Sequence, residues 1–142
     1  MKPYNTEADL ITDAGLIYTA LARGKNMNKK ELGAAGENLA ENYLALNKFK
    51  ILKKNYRTRF GEIDIIAFKD NTIFFFEVKT RKSSNYGFAD EAVNRLKLNR
   101  IMNTALRYIN ENKHAGRFNM NFSLIAIQIE AGDIYIKIIP MN

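Results

Sequence analysis

Residues 61–79 read Gly-Glu-Ile-Asp-Ile-Ile-Ala-Phe-Lys-Asp-Asn-Thr-Ile-Phe-Phe-Phe-Glu-Val-Lys, which is two apolar runs separated by an Asp-Asn pair. Asp and Asn favour a tight reversal, because both side chains tolerate left-handed backbone and form local hydrogen bonds. The pattern therefore predicts a β-hairpin whose turn lies at Asp70 and Asn71, so that Lys69 opposes Thr72.

Continued along both strands, this register places Asp64 opposite Glu77 at the end far from the turn. Directly opposed like charges cost about 0.2–1 kcal/mol even on an exposed sheet. A divalent cation removes that cost, because Mg²⁺ and Mn²⁺ are hard ions that prefer carboxylate oxygens. Lys79 points to the same face as Glu77, since strand side chains alternate. The pattern favours a metal site, and the alternative is a solvated strand end with an ion pair between Glu62 and Lys79.

The acids, the hairpin and the lysine occur in a recognisable order. Asp64 followed by the hairpin and by Glu77-Val78-Lys79 resembles the PD-(D/E)XK nuclease signature. A longer set resembles the bacterial YraN/UPF0102 family, which is related to the Holliday-junction resolvases of the same fold. That set comprises Gly36-Glu37 in a helix, Asn55-Tyr56-Arg57, Gly61-Glu62-Ile63-Asp64-Ile65-Ile66, Glu77-Val78-Lys79-Thr80-Arg81 and Lys97.

The resemblance implies a metal-dependent endonuclease that hydrolyses DNA phosphodiester bonds, with branched or repair intermediates among its substrates. Asp64, Glu77 and the Val78 carbonyl would hold Mg²⁺ or Mn²⁺. Lys79 would orient the attacking water or help to deprotonate it. Glu37 would complete the coordination or hold an outer-shell water, although an acid in the first turns of a helix also suits the helix dipole. Junction-cleaving relatives work as dimers, which makes a homodimer one option here.

The rest of the chain predicts a helix at 31–46, a strand at 48–59, the hairpin, a helix at 88–112 with Leu96 on its buried stripe, and strands at 117–130 and 134–139. A helix between strands of one sheet usually makes a right-handed crossover and sets those strands parallel. We therefore expect an α/β fold, a mixed β-sheet flanked by helices with a restriction-endonuclease-like α-β-β-β-α-β core. Alternation assigns one hairpin face to Ile63, Ile65, Ala67, Phe74, Phe76 and Val78. Residues 1–30 are predicted to form an N-terminal helical arm and linker, and residues 31–142 the nuclease-like domain.

The chain is basic, with a formal charge of +7, which favours a polyanionic partner such as DNA. Residues 48–59 hold six Lys or Arg side chains and no acid. This run is either a solvated basic face or a track for phosphates. The residues predicted to contact DNA are Arg57, Arg59, Arg81, Lys97 and Arg100. Two other classes of protein fit the same charge: a DNA-binding module that cleaves little or nothing, and a protein that binds an acidic protein partner.

Composition excludes several other kinds of site. The chain has no cysteine, so disulfides and thiolate metal sites are excluded. His114 is the single histidine, which argues against a zinc site or a histidine triad. Residues 14–22 are apolar, but Glu7, Asp9 and Asp13 precede them where a signal peptide carries basic residues. We therefore expect a cytoplasmic protein without a membrane span.

Overall fold

The computed structural model describes residues 27–82, 95–130 and 133–141. The elements are α1 (Lys29–Leu46), β1 (Lys50–Thr58), β2 (Gly61–Lys69), β3 (Thr72–Arg81), α2 (Arg95–Glu111), a 3₁₀ helix (Lys113–Arg117), β4 (Asn119–Glu130) and β5 (Asp133–Pro140). The predicted arm at residues 1–25 and the first part of the predicted second helix, residues 88–94, lie outside the described residues.

The strands form one five-stranded sheet in the order β1-β2-β3-β4-β5. Neighbouring strands are antiparallel except β3 and β4, which are parallel and are separated in the chain by α2. The crossover explains this exception, because a chain that leaves one strand and crosses a face of the sheet enters the next in the same direction. The expected α/β fold with a mixed sheet and flanking helices is confirmed.

The central hairpin has the predicted register. Lys69 pairs with Thr72, and the ladder continues to Ile65 and Phe76. Asp70 and Asn71 have φ angles of 50° and 59°. Positive φ at both central residues matches the right-handed twist of the strands, so this two-residue turn closes the hairpin without splaying it.

Within the described ranges each face of the sheet carries one α-helix. On one side Leu39 and Leu44 of α1 pack in a cluster with Ile65, Ala67 and Phe76. On the other side Ile101 and Ala105 of α2 pack in a cluster with Ile66, Ile73 and Phe75. Since both faces are covered, β2 and β3 are nearly continuous apolar runs. Neither helix in the described ranges combines the length and apolar character needed to cross a membrane.

Three boundary or burial predictions were wrong. α1 begins at Lys29, where Asn28 caps the helix by accepting a hydrogen bond from Glu31 N at 2.8 Å, so the arm and linker predicted for residues 1–30 end before the predicted boundary. β4 begins at Asn119, because the preceding residues form the 3₁₀ helix. Leu96 is 69% exposed. It lies five positions before the buried Ile101, which turns it about 140° away around the helix.

Candidate active site

The pairing of β2 and β3 ends before it reaches the predicted acids. The ladder runs from the turn to Ile65 and Phe76. Beyond that point Val78 N–H donates a hydrogen bond to Asp64 Oδ2 at 2.8 Å. A side-chain carboxylate therefore takes the place of a backbone acceptor, and the two strands fork at Asp64.

Side-chain alternation also breaks at the fork. Ile65 packs on the α1 side of the sheet, whereas Ile63 packs on the α2 side. The break accompanies a left-handed residue on β1, Asn55 with a φ of 51°, which lies opposite Asp64 between two regular pairs. Asn tolerates this conformation better than most residues. The predicted face of Ile63 was therefore wrong.

Glu62 forms a different ion pair from the one expected at a solvated strand end, which was with Lys79. Arg57 Nε lies 2.9 Å from Glu62 Oε2, so this acid pairs with β1 rather than with Lys79. Lys79 instead lines the cavity that contains Asp64 and Glu77.

This cavity, which we call the fork cavity, has a volume of about 370 Å³ and draws on both helices and both hairpin strands. Its lining is Glu37, Gly61, Glu62, Asp64, Glu77, Val78, Lys79, Lys97, Arg100 and Ile101. The four residues predicted to be catalytic and the predicted backbone ligand are thus neighbours. Lys97 and Arg100 reach the same cavity from α2.

The other residues predicted to contact DNA lie outside the fork cavity. Arg57 and Arg59 line a separate cavity beside the β1–β2 turn. Arg81 is the last residue of β3 and pairs with Gln128 of β4. Sequence reasoning missed Ile101 and Gly61 as lining residues. A signal for Gly61 was available, since it opens the Gly-Glu-Ile-Asp motif.

Two glycines are needed at the fork, for different reasons. A Cβ at Gly36 would overlap Thr80 Oγ1, so only glycine allows α1 to lie this close to β3 and to carry Glu37 to the cavity. Gly61 has a φ of 151°, which favours glycine, whereas a Cβ there would lie at an ordinary contact distance, 3.4 Å, from Thr104 Oγ1 of α2. Gly33, one turn earlier on α1, is under no such constraint, since an added Cβ would meet no described atom within 4 Å.

The fork cavity makes ionisation of Asp64 unfavourable. Burial raises the pKa of Asp64 from 3.8 to about 7, and the carboxylates of Glu37, Glu77 and Glu62 add to the rise. The hydrogen bond from Val78 N–H acts in the opposite direction but is outweighed. A carboxyl that titrates near neutrality among other acids is a frequent feature of functional sites.

Glu37 experiences the same environment from the α1 side. Burial and the neighbouring Glu62 raise its pKa, whereas Arg57 and Lys54 act to lower it. The acids of the cavity therefore repel one another, and a cation placed among them would relieve that repulsion.

The two carboxylate oxygens of Glu77 differ in their contacts with the described residues. Oε1 forms an ion pair with Lys97 Nζ. Oε2 is buried and has no hydrogen-bond partner among the described residues. A buried carboxylate oxygen without a partner costs free energy unless a cation or an ordered water occupies the space beside it.

These groups fit a small hard cation with few protein ligands. Val78 N–H uses Asp64 Oδ2 and Lys97 uses Glu77 Oε1, so the second oxygen of each carboxylate, Asp64 Oδ1 and Glu77 Oε2, is left to bind a cation. The Val78 carbonyl faces the same gap as its N–H, because both groups of an extended residue point to one side. Within the described ranges no three His, Cys, Asp or Glu residues lie close enough to hold a metal ion together. Two carboxylates, one carbonyl and several waters are the ligands that Mg²⁺ commonly takes.

The fold and the fork cavity define an α/β protein with the α-β-β-β-α-β core, in which a forked hairpin gathers carboxylates and a lysine. The chain belongs to the uncharacterised protein family UPF0102, whose sequence profile matches residues 36–127. All the predicted site residues fall within that range, and the predicted family is confirmed.

Relatives from several bacteria match over most of their length. The chain is 46% identical over 104 residues to a UPF0102 protein of Alkaliphilus oremlandii, and this alignment covers 72% of this chain and 88% of the relative. It is 41% identical over 112 residues to one from Caldicellulosiruptor bescii, which covers 79% and 94%. It is also 41% identical over 102 residues to one from Sulfurihydrogenibium, which covers 72% and 88%.

Proposed function

We propose that this protein is a metal-dependent endonuclease that hydrolyses DNA phosphodiester bonds. The observation that carries the proposal is Glu77 Oε2, which is buried without a hydrogen-bond partner among the described residues, in one cavity with Asp64 and Lys79. A purely structural cavity gains nothing from two half-buried acids beside a lysine, whereas phosphodiester hydrolysis needs a cation, a positioned water and a counter-charge.

Asp64, Glu77 and the Val78 carbonyl would hold Mg²⁺ or Mn²⁺. When bound, such an ion polarises a phosphoryl oxygen and lowers the pKa of a water. The Val78 N–H fixes Asp64 Oδ2, so the remaining oxygen of that carboxylate has a defined direction before any ligand arrives.

Lys79 has the position and charge to act on the attacking water and on the phosphate. Its ammonium group would orient the water and offset the negative charge that grows on the phosphate oxygens. Glu37, on the opposite wall of the cavity, would accept a hydrogen bond from a water rather than bind the ion, because no three acids converge closely enough to hold a metal together in the described structure.

Arg100 and Lys97 extend the cavity with positive charge from α2. Arg100 is exposed at the rim, where it can contact a phosphate next to the one that is cleaved. Lys97 neutralises Glu77 when no metal is bound, and an ion at Glu77 would compete with that pair. Arg100 and Lys97 would contact the phosphodiester backbone of DNA and not the bases, so the site would bind DNA without selecting a base sequence.

A DNA-binding module without cleavage is the second candidate. The observation that favours it is the Lys97–Glu77 ion pair, which already neutralises one of the two carboxylates. In that case the fork cavity would bind a phosphate through Lys79 and Arg100, and no metal would be needed.

The test is a cleavage screen with Mn²⁺ or Mg²⁺ on branched, flap and linear DNA, comparing wild type with Asp64→Asn. Asp70→Asn is the matched control, because Asp70 is an exposed aspartate at the distant hairpin turn. We expect cleavage by wild type and the control and a loss of about 100-fold or more in Asp64→Asn. Metal-independent binding with no cleavage of any substrate would select the second candidate. Equal cleavage by both variants would contradict the assignment of Asp64.

A further inference from the structure

A second cavity lies between the β1–β2 turn and α2, apart from the candidate metal ligands. It measures about 420 Å³ and is lined by Arg57, Thr58, Arg59, Phe60, Arg107 and Glu111. Three arginines and one acid give it a net positive lining, and Phe60 supplies an aromatic surface. Aromatic rings beside arginines are what single-stranded nucleic acids bind, because bases stack on the rings while phosphates meet the cations.

Phe60 is held at the surface by its turn. Its side chain is 41% exposed, although a phenylalanine gains most by burial. Phe60 N–H donates to Thr58 Oγ1 at 3.1 Å, and the same hydroxyl donates to Gly61 O at 3.4 Å. The guanidinium of Arg59 lies 4.9 Å from the centre of the ring. These contacts fix the backbone at Phe60 and place a cation beside its ring, which reduces the entropy cost of stacking a base on the ring.

Glu111 holds the guanidinium of Arg107 at the wall of this second cavity, and the lining as a whole keeps a net positive charge. Arg107 Nε lies 2.9 Å from Glu111 Oε1, and the hydroxyl of Tyr56 donates to Oε2 at 2.8 Å. Both carboxylate oxygens are therefore engaged. Arg57 and Arg107 remain exposed to solvent despite their ion pairs, so each can also meet a phosphate.

We propose that this second cavity, which we call the turn subsite, takes one unpaired nucleotide of single-stranded DNA. The base stacks on Phe60, on the face opposite Arg59, and the phosphates contact Arg57 and Arg107. A base inside a duplex has both faces occupied by its neighbours, so it cannot stack on this ring without being extruded. The turn subsite therefore favours DNA that is single-stranded or unpaired beside the fork cavity.

The two cavities are a short distance apart along α2. Arg100 lines the fork cavity and Arg107 lines the turn subsite, and seven residues of helix span about 10 Å. A strand that places one phosphate in the fork cavity can reach the turn subsite within a few nucleotides. The inference rests on the DNA-binding part of the proposed function and adds the class of DNA that the site prefers.

The test measures affinity without metal, in EDTA, for three probes: oligothymidylate, an abasic oligodeoxyribose phosphate of equal length, and a blunt duplex. The proteins are wild type, Phe60→Ala, Phe60→Leu and Phe60→Tyr. Met120→Ala is the control for loss of an exposed apolar side chain, since Met120 is 45% exposed at the start of β4. Equal unfolding midpoints verify that the variants fold.

We expect Phe60→Ala and Phe60→Leu to weaken binding of oligothymidylate by about fivefold or more, which is the lower range for one stacked base. Binding of the abasic probe should not change, and Phe60→Tyr should keep wild-type affinity because it keeps the ring. Equal affinity of wild type and Phe60→Ala for oligothymidylate would overturn the inference, and so would an equal loss on the abasic probe. In both cases retained duplex binding leaves the proposed function standing. Failure of wild type to bind oligothymidylate would also overturn the inference, whereas the proposed function is decided by the cleavage screen with metal.

Discussion

Asp64 Oδ2 accepts the hydrogen bond of Val78 N–H at 2.8 Å, across the gap where β2 and β3 stop pairing. One carboxylate thus holds the two strands together at the point where the backbone ladder ends. The same contact directs Asp64 towards Glu77 and Lys79, which line the fork cavity with it. The structure of the fork and the proposed chemistry therefore both involve this one side chain.

The stability of the metal-free protein should fall as pH rises through the titration of Asp64. The pKa of this carboxyl is 3.8 in an unperturbed state and about 7 in the folded chain. Between those values the folded state keeps a proton that the unfolded state has released, so folding is favoured at low pH and the advantage is lost towards pH 7. The loss is at most about 4 kcal/mol, at roughly 1.4 kcal/mol per pKa unit.

Urea unfolding in EDTA at about pH 5 and about pH 8 measures the part of this loss that falls above pH 5, about 3 kcal/mol at most. Asp64→Asn cannot ionise at this position, so its stability should decline less than that of wild type over the same interval. Parallel pH profiles for the two proteins would contradict the raised pKa of Asp64.

Addition of Mn²⁺ should raise the unfolding midpoint of wild type and not that of Glu77→Gln. An ion that binds only the folded state stabilises it by about 2.7 kcal/mol at a hundredfold excess over its dissociation constant. The effect should be larger at about pH 8 than at about pH 6, because a protonated Asp64 cannot bind the ion. Equal stabilisation of Glu77→Gln and wild type would place the ion elsewhere.

Lys79→Ala should lower the cleavage rate by about 100-fold or more, since it removes a charge that acts on the water and on the phosphate. Its stabilisation by Mn²⁺ should stay within error of wild type, because Lys79 is not a ligand. Lys113→Ala is the matched control, an exposed lysine of the 3₁₀ helix. If Lys79→Ala also lost the response to Mn²⁺, its effect would be structural.

Gly36→Ala should destabilise the protein by about 1–3 kcal/mol, because the new methyl group overlaps Thr80 and forces α1 away from β3. Gly33→Ala is the internal control on the same helix. A Cβ added there would meet no described atom within 4 Å, so the variant should gain about 0.5–1 kcal/mol from the higher helix propensity of alanine. Chemical unfolding of both variants distinguishes crowding from propensity, and similar stabilities would contradict the close approach.

Arg100→Ala should flatten the salt dependence of DNA binding. Each phosphate contact that is lost should reduce the slope of log K against log salt by about 0.9 on duplex DNA. Arg117→Ala is the control, because Arg117 precedes β4 at the hairpin-turn end of the sheet, where Asn119 N–H donates to Asn71 O. Equal slopes for both variants would show that Arg100 does not contact the backbone.

Local patterns were enough to predict the hairpin and the family. The Asp70-Asn71 turn is encoded by residue type, and the register follows from it up to Ile65 and Phe76. The fork was not predicted, because it is accompanied by a left-handed residue of another strand, Asn55, whose conformation no neighbouring pattern signals. The burial of Leu96 was predicted wrongly for a similar reason. Tertiary contacts decide which stripe of α2 packs against the sheet.

The order of elements along the chain has a consequence for folding. β1, β2 and β3 are consecutive, so Asp64 and Glu77 can meet through local contacts, which form early because they close short loops. The cation that pairs with Glu77 belongs to α2, and β4 cannot pair with β3 until the crossover is complete. An early meander would therefore carry its acids without their counter-charge, and Lys97 would reach Glu77 only as the second half of the chain docks.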